Sequence, residues 1–230
     1  MKKILSLGVI TLLTSTLYIE ANDMSMDSIT NSALKVGTLG IGFDVSRMVT
    51  EQIAIRGNIN GFSYNRASDL SNITYNATLN LLTIGALADY YPYENNFRFT
   101  GGVYYNNNKL DGVVTPAVTE SIKVGDKTYT GANIGKLQTG INFNHVAPYI
   151  GLGWGNKSTT SSGWGFTLDI GALYQGSPKV SANATINSTT PKILKDEITT
   201  NVEKERQQIE SDVSKYTWYP VIMIGINYNF

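Results

Sequence analysis

Four charged residues stand out because each falls on the small or polar side of an alternating segment: Asp44, Arg56, Arg98 and Asp169. Asp89 joins the set if a register break falls near Leu81 and Leu82. Arginines and aspartates facing one another do electrostatic work. They either hold a closed interior together by ion pairing or line a narrow path whose selectivity they set. Catalytic chemistry has less to draw on. The chain has a single histidine, His145, and no cysteine, so thiolate ligands and cysteine nucleophiles are excluded. His145 lies in 142–148, where the alternation breaks, and reads as a turn or bulge residue. Ser161 and Ser162 are the loosest candidates for a reactive hydroxyl. No Gly-rich phosphate loop, HExxH or EF-hand spacing occurs. The chain therefore reads as a non-enzyme with no catalytic residue, cofactor or metal site. The Asn-x-Ser/Thr triplets at Asn72, Asn76, Asn156, Asn183 and Asn187 are expected by chance in an Asn- and Thr-rich chain.

The elements that position these charges follow from composition and periodicity. Eighteen basic residues balance 18 acidic ones and 42% of the 230 residues are hydrophobic. That balance lacks the basic footprint of a nucleic-acid binder, and the apolar content excludes a disordered chain. Lys2 and Lys3 precede the apolar run 4–17, the pattern of a secretory signal peptide over 1–21. A membrane anchor is the other reading of this run, which is shorter than the ~20 residues a helix needs to span. Residues 22–33 form a short N-terminal segment, and 34–230 the main domain. No stretch of 18 apolar residues follows, so a membrane could be crossed only by strands closed into a barrel.

Two-residue alternation fits such a barrel. From the C-terminus, Phe230, Tyr228, Ile226, Ile224 and Ile222 share one face, while Asn229, Asn227, Gly225, Met223 and Val221 share the other. Leu39, Ile41, Phe43 and Val45 alternate with Gly40, Gly42, Asp44 and Ser46. Phe97, Phe99, Val103 and Tyr105 alternate with Arg98, Thr100, Tyr104 and Asn106. Trp164 to Tyr174 repeats the pattern, with aromatics at both ends of an apolar band, as at membrane interfaces. A water-soluble sandwich also alternates, but its apolar face would not oppose one of Gly, Asn, Thr and paired charges. The periods predict strands near 34–47, 53–65, 73–91, 97–108, 136–143, 148–156, 163–175 and 216–230, an all-β antiparallel transmembrane barrel of about eight strands. This list puts the 48–52 turn and the long 109–135 loop at the wrong ends. A single bulged strand over 137–156, or an extra strand at 177–186 that takes the count to ten, would repair it. Residues 191–215, with Leu194, Ile198, Val202, Ile209 and Val213 at helical spacing, predict one amphipathic helical connector packed across a barrel mouth.

The terminal Tyr228-Asn229-Phe230 is similar to the assembly signal of Gram-negative outer-membrane barrels. The segments 147–155, 175–180 and 107–110 resemble those of small, largely uncharacterised proteobacterial outer-membrane proteins. The resemblance covers 34–230 and implies an outer-membrane barrel that meets lipid and the outer-membrane assembly machinery; it carries over no functional residues. Three functions remain in view. The first is a structural or surface-interaction protein with a plugged lumen, offering the 109–135 loop or the 191–215 helix to a partner. The second is a narrow pore for small or apolar solutes, with space left by Gly40, Gly42, Gly102 and Gly171. The third and least favoured is a lipid-modifying enzyme.

Overall fold

The computed structural model describes residues 31–70, 72–93, 95–155, 157 and 162–230. The expected signal peptide at 1–21 and most of the 22–33 segment lie outside the described residues. In chain order the elements are β1 (Asn31–Gly37), β2 (Gly40–Met48), β3 (Ile53–Leu70), β4 (Ile73–Tyr90), β5 (Phe97–Asn106), β6 (Lys109–Pro116) and β7 (Ser121–Val124). They continue with β8 (Lys127–Thr130), β9 (Ile134–Asn142), β10 (Val146–Trp154), β11 (Gly163–Tyr174), β12 (Lys179–Ile186), α1 (Lys192–Val213) and β13 (Trp218–Asn229).

Eight strands close a ring by antiparallel pairing, in the order β1-β2-β3-β4-β5-β10-β11-β13, and β13 returns to β1 through Asn31↔Asn229 and Leu34↔Ile226. Closure leaves the ring no free edge. The strand number expected from periodicity is right, but two of its members are not. Residues 34–47 are not one strand: they form the β1–β2 hairpin, turning at Thr38 and Leu39, with Gly40 at φ +96. Residues 136–143 belong to β9, outside the ring, and 177–186 fall largely in β12, also outside it. Neither the single bulged strand nor the ten-strand ring forms. The turn at 49–52 therefore lies at the same end as the start of β1 and the end of β13, and the long excursions lie at the other. The hairpin is tied to its neighbour by Thr38, whose N–H donates to the Ile222 carbonyl at 3.0 Å and whose Oγ1 donates to the Pro220 carbonyl at 3.0 Å.

The excursions build a second sheet. β3 and β4 are each 18 residues long, about twice what the ring uses. Thr83–Tyr90 of β4 pairs with β5, whereas Ile73–Asn80 pairs with β6, which pairs with β9, which pairs with β12. The result is a five-stranded antiparallel sheet, β3-β4-β6-β9-β12, standing off the barrel end that bears the long connections. The expected 109–135 loop is thus β6, the β7–β8 hairpin and the start of β9. No register break is needed at Leu81 and Leu82, since β3 and β4 stay in unbroken register from Ile53↔Tyr90 to Leu70↔Ile73. What changes is the space the face looks into: Asp89, Leu87 and Gly85 face the barrel interior, and the same side farther along carries Leu81, Leu79 and Ile73 onto the outer sheet.

α1 matches its expected span within two residues at each end. It lies along the outer sheet rather than across a barrel mouth. Leu194, Ile198 and Val202 recur every fourth residue and pack with Ile122, Val124, Tyr129 and Ile134 over Val114, Leu137, Ala184 and Ile186. Polar contacts fasten its exposed side. The β7–β8 turn, with Gly125 at φ +59, donates its Gly125 N–H to Glu205 at 2.9 Å, and Lys127 meets Glu197 at 2.7 Å. Hydrogen bonds from Lys127 and Tyr129 hold the Glu197 carboxyl below the ordinary carboxylate range, and Lys204 does the same for Asp126. Bonds from Arg206 and Gln207 push Glu203 down to about 2. These folded-state values are depressed, so the stabilisation is complete above the ordinary carboxylate range and fades as pH falls through the folded values. Amide exchange of α1, corrected for its intrinsic pH dependence, is accordingly expected to speed up between about pH 5 and about pH 2 while the barrel strands stay protected. Constant α1 protection across that range would show that these ion pairs do not hold the helix.

Candidate functional site

Strand parity decides what fills the barrel. On β2, Asp44 points inward between Phe43 and Val45. On β3 and β4, Arg56 and Asp89 do the same, as do Arg98 on β5 and Asp169 on β11. The structure brings all five together, with a sixth charge that sequence reading missed. Lys35 on β1 joins Asp44 in a short ion pair and lies 2.5 Å from Asp169. Read as one strand, 34–47 puts Lys35 in phase with Leu39, Ile41 and Phe43 on the outer face. The β1–β2 hairpin reverses the phase, so Lys35 turns inward, and Leu39, expected outside, is buried in the interior. The available signal was a lysine on an otherwise apolar face, with Gly37 and Gly40 bracketing the two residues of the turn.

The six residues, three cations and three carboxylates, are each at most 3% exposed. Arg56 is the hub. Its Nε and Nη2 donate to the two Asp89 oxygens at 2.8 and 2.9 Å, its Nη1 donates to Asp44 at 2.8 Å, and Nη2 lies 3.4 Å from Asp169. Arg98 donates from Nη2 to Asp169 at 2.5 Å and from Nη1 to the Gly155 carbonyl. Neutral donors complete the carboxylates: Thr100 Oγ1 donates to Asp89 at 2.6 Å, and Asn58 Nδ2 donates to Asp44. A buried charge without a partner costs several kcal/mol. Here the charges cancel and each carboxylate accepts from at least two groups.

Toward the outer sheet the interior turns apolar. Leu39, Leu87, Tyr104, Ala147, Tyr149, Leu173, Val221 and Met223 form one buried cluster, with the Tyr104 and Tyr149 rings edge to face at 5.6 Å. Interior glycines make room for these side chains. A Cβ on Gly85 would stand 2.5 Å from the Tyr104 ring, and one on Gly171 2.5 Å from the Tyr149 hydroxyl. The space that Gly171 and Gly102 leave is occupied by neighbours: the Tyr149 hydroxyl sits against Gly171, and Leu87 against Gly102.

The outer wall has the opposite character. Ile150 is 64% exposed, Ile224 57% and Phe166 82%. Aromatic pairs stand at both ends: Trp164 against Tyr228 and Tyr228 against Phe230 at the end of β13, and Tyr174 against Trp218 at the other end. Tyr228 and Phe230 thus belong to one cluster of outer-wall aromatics. His145 sits in the irregular link before β10, stacked on Tyr105 at 5.4 Å, with Nδ1 3.1 Å from the Asn106 carbonyl. Ser162 is exposed, and Ser161 lies outside the described residues. No helix of the described residues is long and apolar enough to cross a membrane.

No protein-family model matches the chain, and no curated protein is similar to it in sequence. Among solved structures, CarO2 of Acinetobacter baumannii superposes with a TM-score of 0.56 at 22% identity, covering 88% of this chain and 98% of that one. CarO of the same organism gives a TM-score of 0.55 at 23% identity with the same coverage. Over nearly the whole length of those two proteins, the likeness shows that this chain shares their antiparallel β-barrel fold.

Proposed function

We propose that the chain is an outer-membrane barrel with a structural or surface-interaction role, its lumen closed by side chains, and that it holds the outer sheet and α1 clear of the membrane. One observation carries the reading: the barrel wears its Ile, Leu, Phe and Val outside and its charges inside, the inverse of a water-soluble fold. An exposed apolar band on this scale, bordered by aromatics at both ends, suits lipid. The short turns, the start of β1 and the end of β13 then face the periplasm, and the long outer sheet faces outside. Tyr228 and Phe230 serve as the signal read by the outer-membrane assembly machinery, and an N-terminal signal peptide over 1–21 exports the chain. Support for a closed lumen comes from the neutralised six-charge cluster, the aromatic layer beside it and the narrowness of an eight-stranded ring.

The test is refolding into lipid vesicles, with the heat-modifiable gel mobility of a folded barrel as the check on folding, followed by planar-bilayer conductance. The expected result is a heat-modifiable band without current steps. Reproducible ion-selective steps from the folded protein would replace the closed lumen by the narrow pore, with Arg56 and Asp169 as its selectivity determinants. Absence of heat-modifiable mobility, with recovery of the protein away from the outer membrane, would overturn the membrane placement.

A further inference from the structure

The outer half of β3 is an open sheet edge. β2 leaves β3 after the pair Ile41↔Gly61, so residues 62–70 have β4 on one side only. The Tyr91 N–H donates to the Gln52 carbonyl and the Val49 N–H to the Ile53 carbonyl, which assigns the even residues of β3 to β4 and the odd residues to the β2 side. Past Gly61, then, Ser63, Asn65, Ala67 and Asp69 direct their backbone N–H and C=O groups toward an edge that no described strand occupies. Natural edges are guarded by bulges, prolines, lysines or brevity. This one has no proline or lysine, keeps unbroken register with β4 and is exposed at every residue from Phe62 to Leu70. Its one basic residue, Arg66, stands opposite Ala77 and has no ion-pair partner among the described residues. Phe62, Tyr64 and Leu70, which are 45%, 52% and 65% exposed, share the face that continues onto Leu79 and Leu110 beyond the cover of α1.

We propose that this edge takes up a strand from another protein by β-sheet addition. The incoming segment is extended, carries apolar side chains at alternate positions against Phe62 and Tyr64, and has an acidic residue opposite Arg66. The proposal deepens the surface-interaction reading above and takes its setting from it. A second copy of the chain fits less well. The edge itself offers Arg66 no counter-charge, because its one carboxylate, Asp69, has the opposite parity and lies on the other face.

The experiment uses the folded chain in detergent and a fluorescein-labelled nine-residue peptide that alternates valine and threonine from a first valine, with glutamate at the fifth position so that it shares the valine face, read by fluorescence anisotropy. Saturable binding is expected. It should weaken about tenfold or more when the peptide amides on its pairing edge are N-methylated, and by a similar factor in Asn65→Pro, which removes an edge donor and spares the β4 ladder. Arg66→Glu should shift the preference to a peptide with central lysine. Equal binding of the methylated peptide, or no binding of either peptide by heat-modifiable protein, overturns the proposal. So does a dimer of the chain that Asn65→Pro dissolves, since the edge would then belong to a second copy. A barrel found outside the outer membrane would defeat the membrane placement and leave the peptide result standing, so the two failures are distinguishable.

Discussion

Arg56→Ala is expected to cost the folded barrel about 3–5 kcal/mol, because it leaves buried carboxylates without their counter-charge. Arg56 touches all three aspartates of the interior, with two bonds to Asp89, one to Asp44 and an ion pair to Asp169. Removing it leaves three carboxylates with Lys35 and Arg98, neither of which offers Asp89 a bond as short as those it loses. A net charge then stays in a space that side chains fill and water enters with difficulty. Arg56→Lys should recover only part of the loss, since an ammonium cannot reproduce the two-pronged contact with Asp89. The readouts are the urea midpoint in lipid vesicles and the temperature at which the heat-modifiable band disappears. Wild-type values for Arg56→Ala would mean that the cluster is solvated and does not hold the barrel. In that case a conducting lumen becomes the better reading.

Gly153→Ala, the addition of one methyl group, is expected to destabilise by about 1–3 kcal/mol. An ideal Cβ at Gly153 would stand 2.6 Å from Arg98 Cζ and 2.7 Å from Arg98 Nε. A long arginine elsewhere would swing away at little cost. Here the Arg98 guanidinium is fully buried, bonded to Asp169 at 2.5 Å and to the Gly155 carbonyl. Moving it weakens both contacts. Gly101→Ala on the neighbouring strand is the control, for its Cβ would point to the outer wall and meet nothing within 4 Å. That change should be neutral or slightly stabilising, because alanine restricts the unfolded chain more than glycine does. Equal effects of the two substitutions, measured by the same midpoints, would remove the argument that Gly153 exists to seat Arg98.

Several parts of this molecule are legible in its sequence, and for one reason. A strand has a period of two, so Phe97 to Asn106 and Trp164 to Tyr174 announce an apolar side and an interior side on their own. Arg98 and Asp169 could therefore be placed inside before any partner was known, and Asp44 and Arg56 likewise. The period of α1 was as plain, because Leu194, Ile198 and Val202 recur every fourth residue. Lys35 was lost because a tight two-residue turn at Thr38 and Leu39 adds no polar run to interrupt the pattern, and it reverses the phase silently.

By itself the sequence determined the alternation, the eight-strand scale, the helix and the inward direction of Asp44, Arg56, Arg98 and Asp169, since each depends on residues within a few positions of one another; Asp89 was placed with them only through a register break that the β3–β4 ladder does not contain. Only the tertiary structure decided which alternating segments close the ring and which stand beyond it. β9 and β10 alternate alike, yet one pairs with β6 and β12 and the other with β5 and β11. That choice rests on registers between strands far apart in the chain, most of all on β1 meeting β13 to close the barrel. The same long-range pairing carries β3 past its last contact with β2 and leaves its edge open, which no local pattern records.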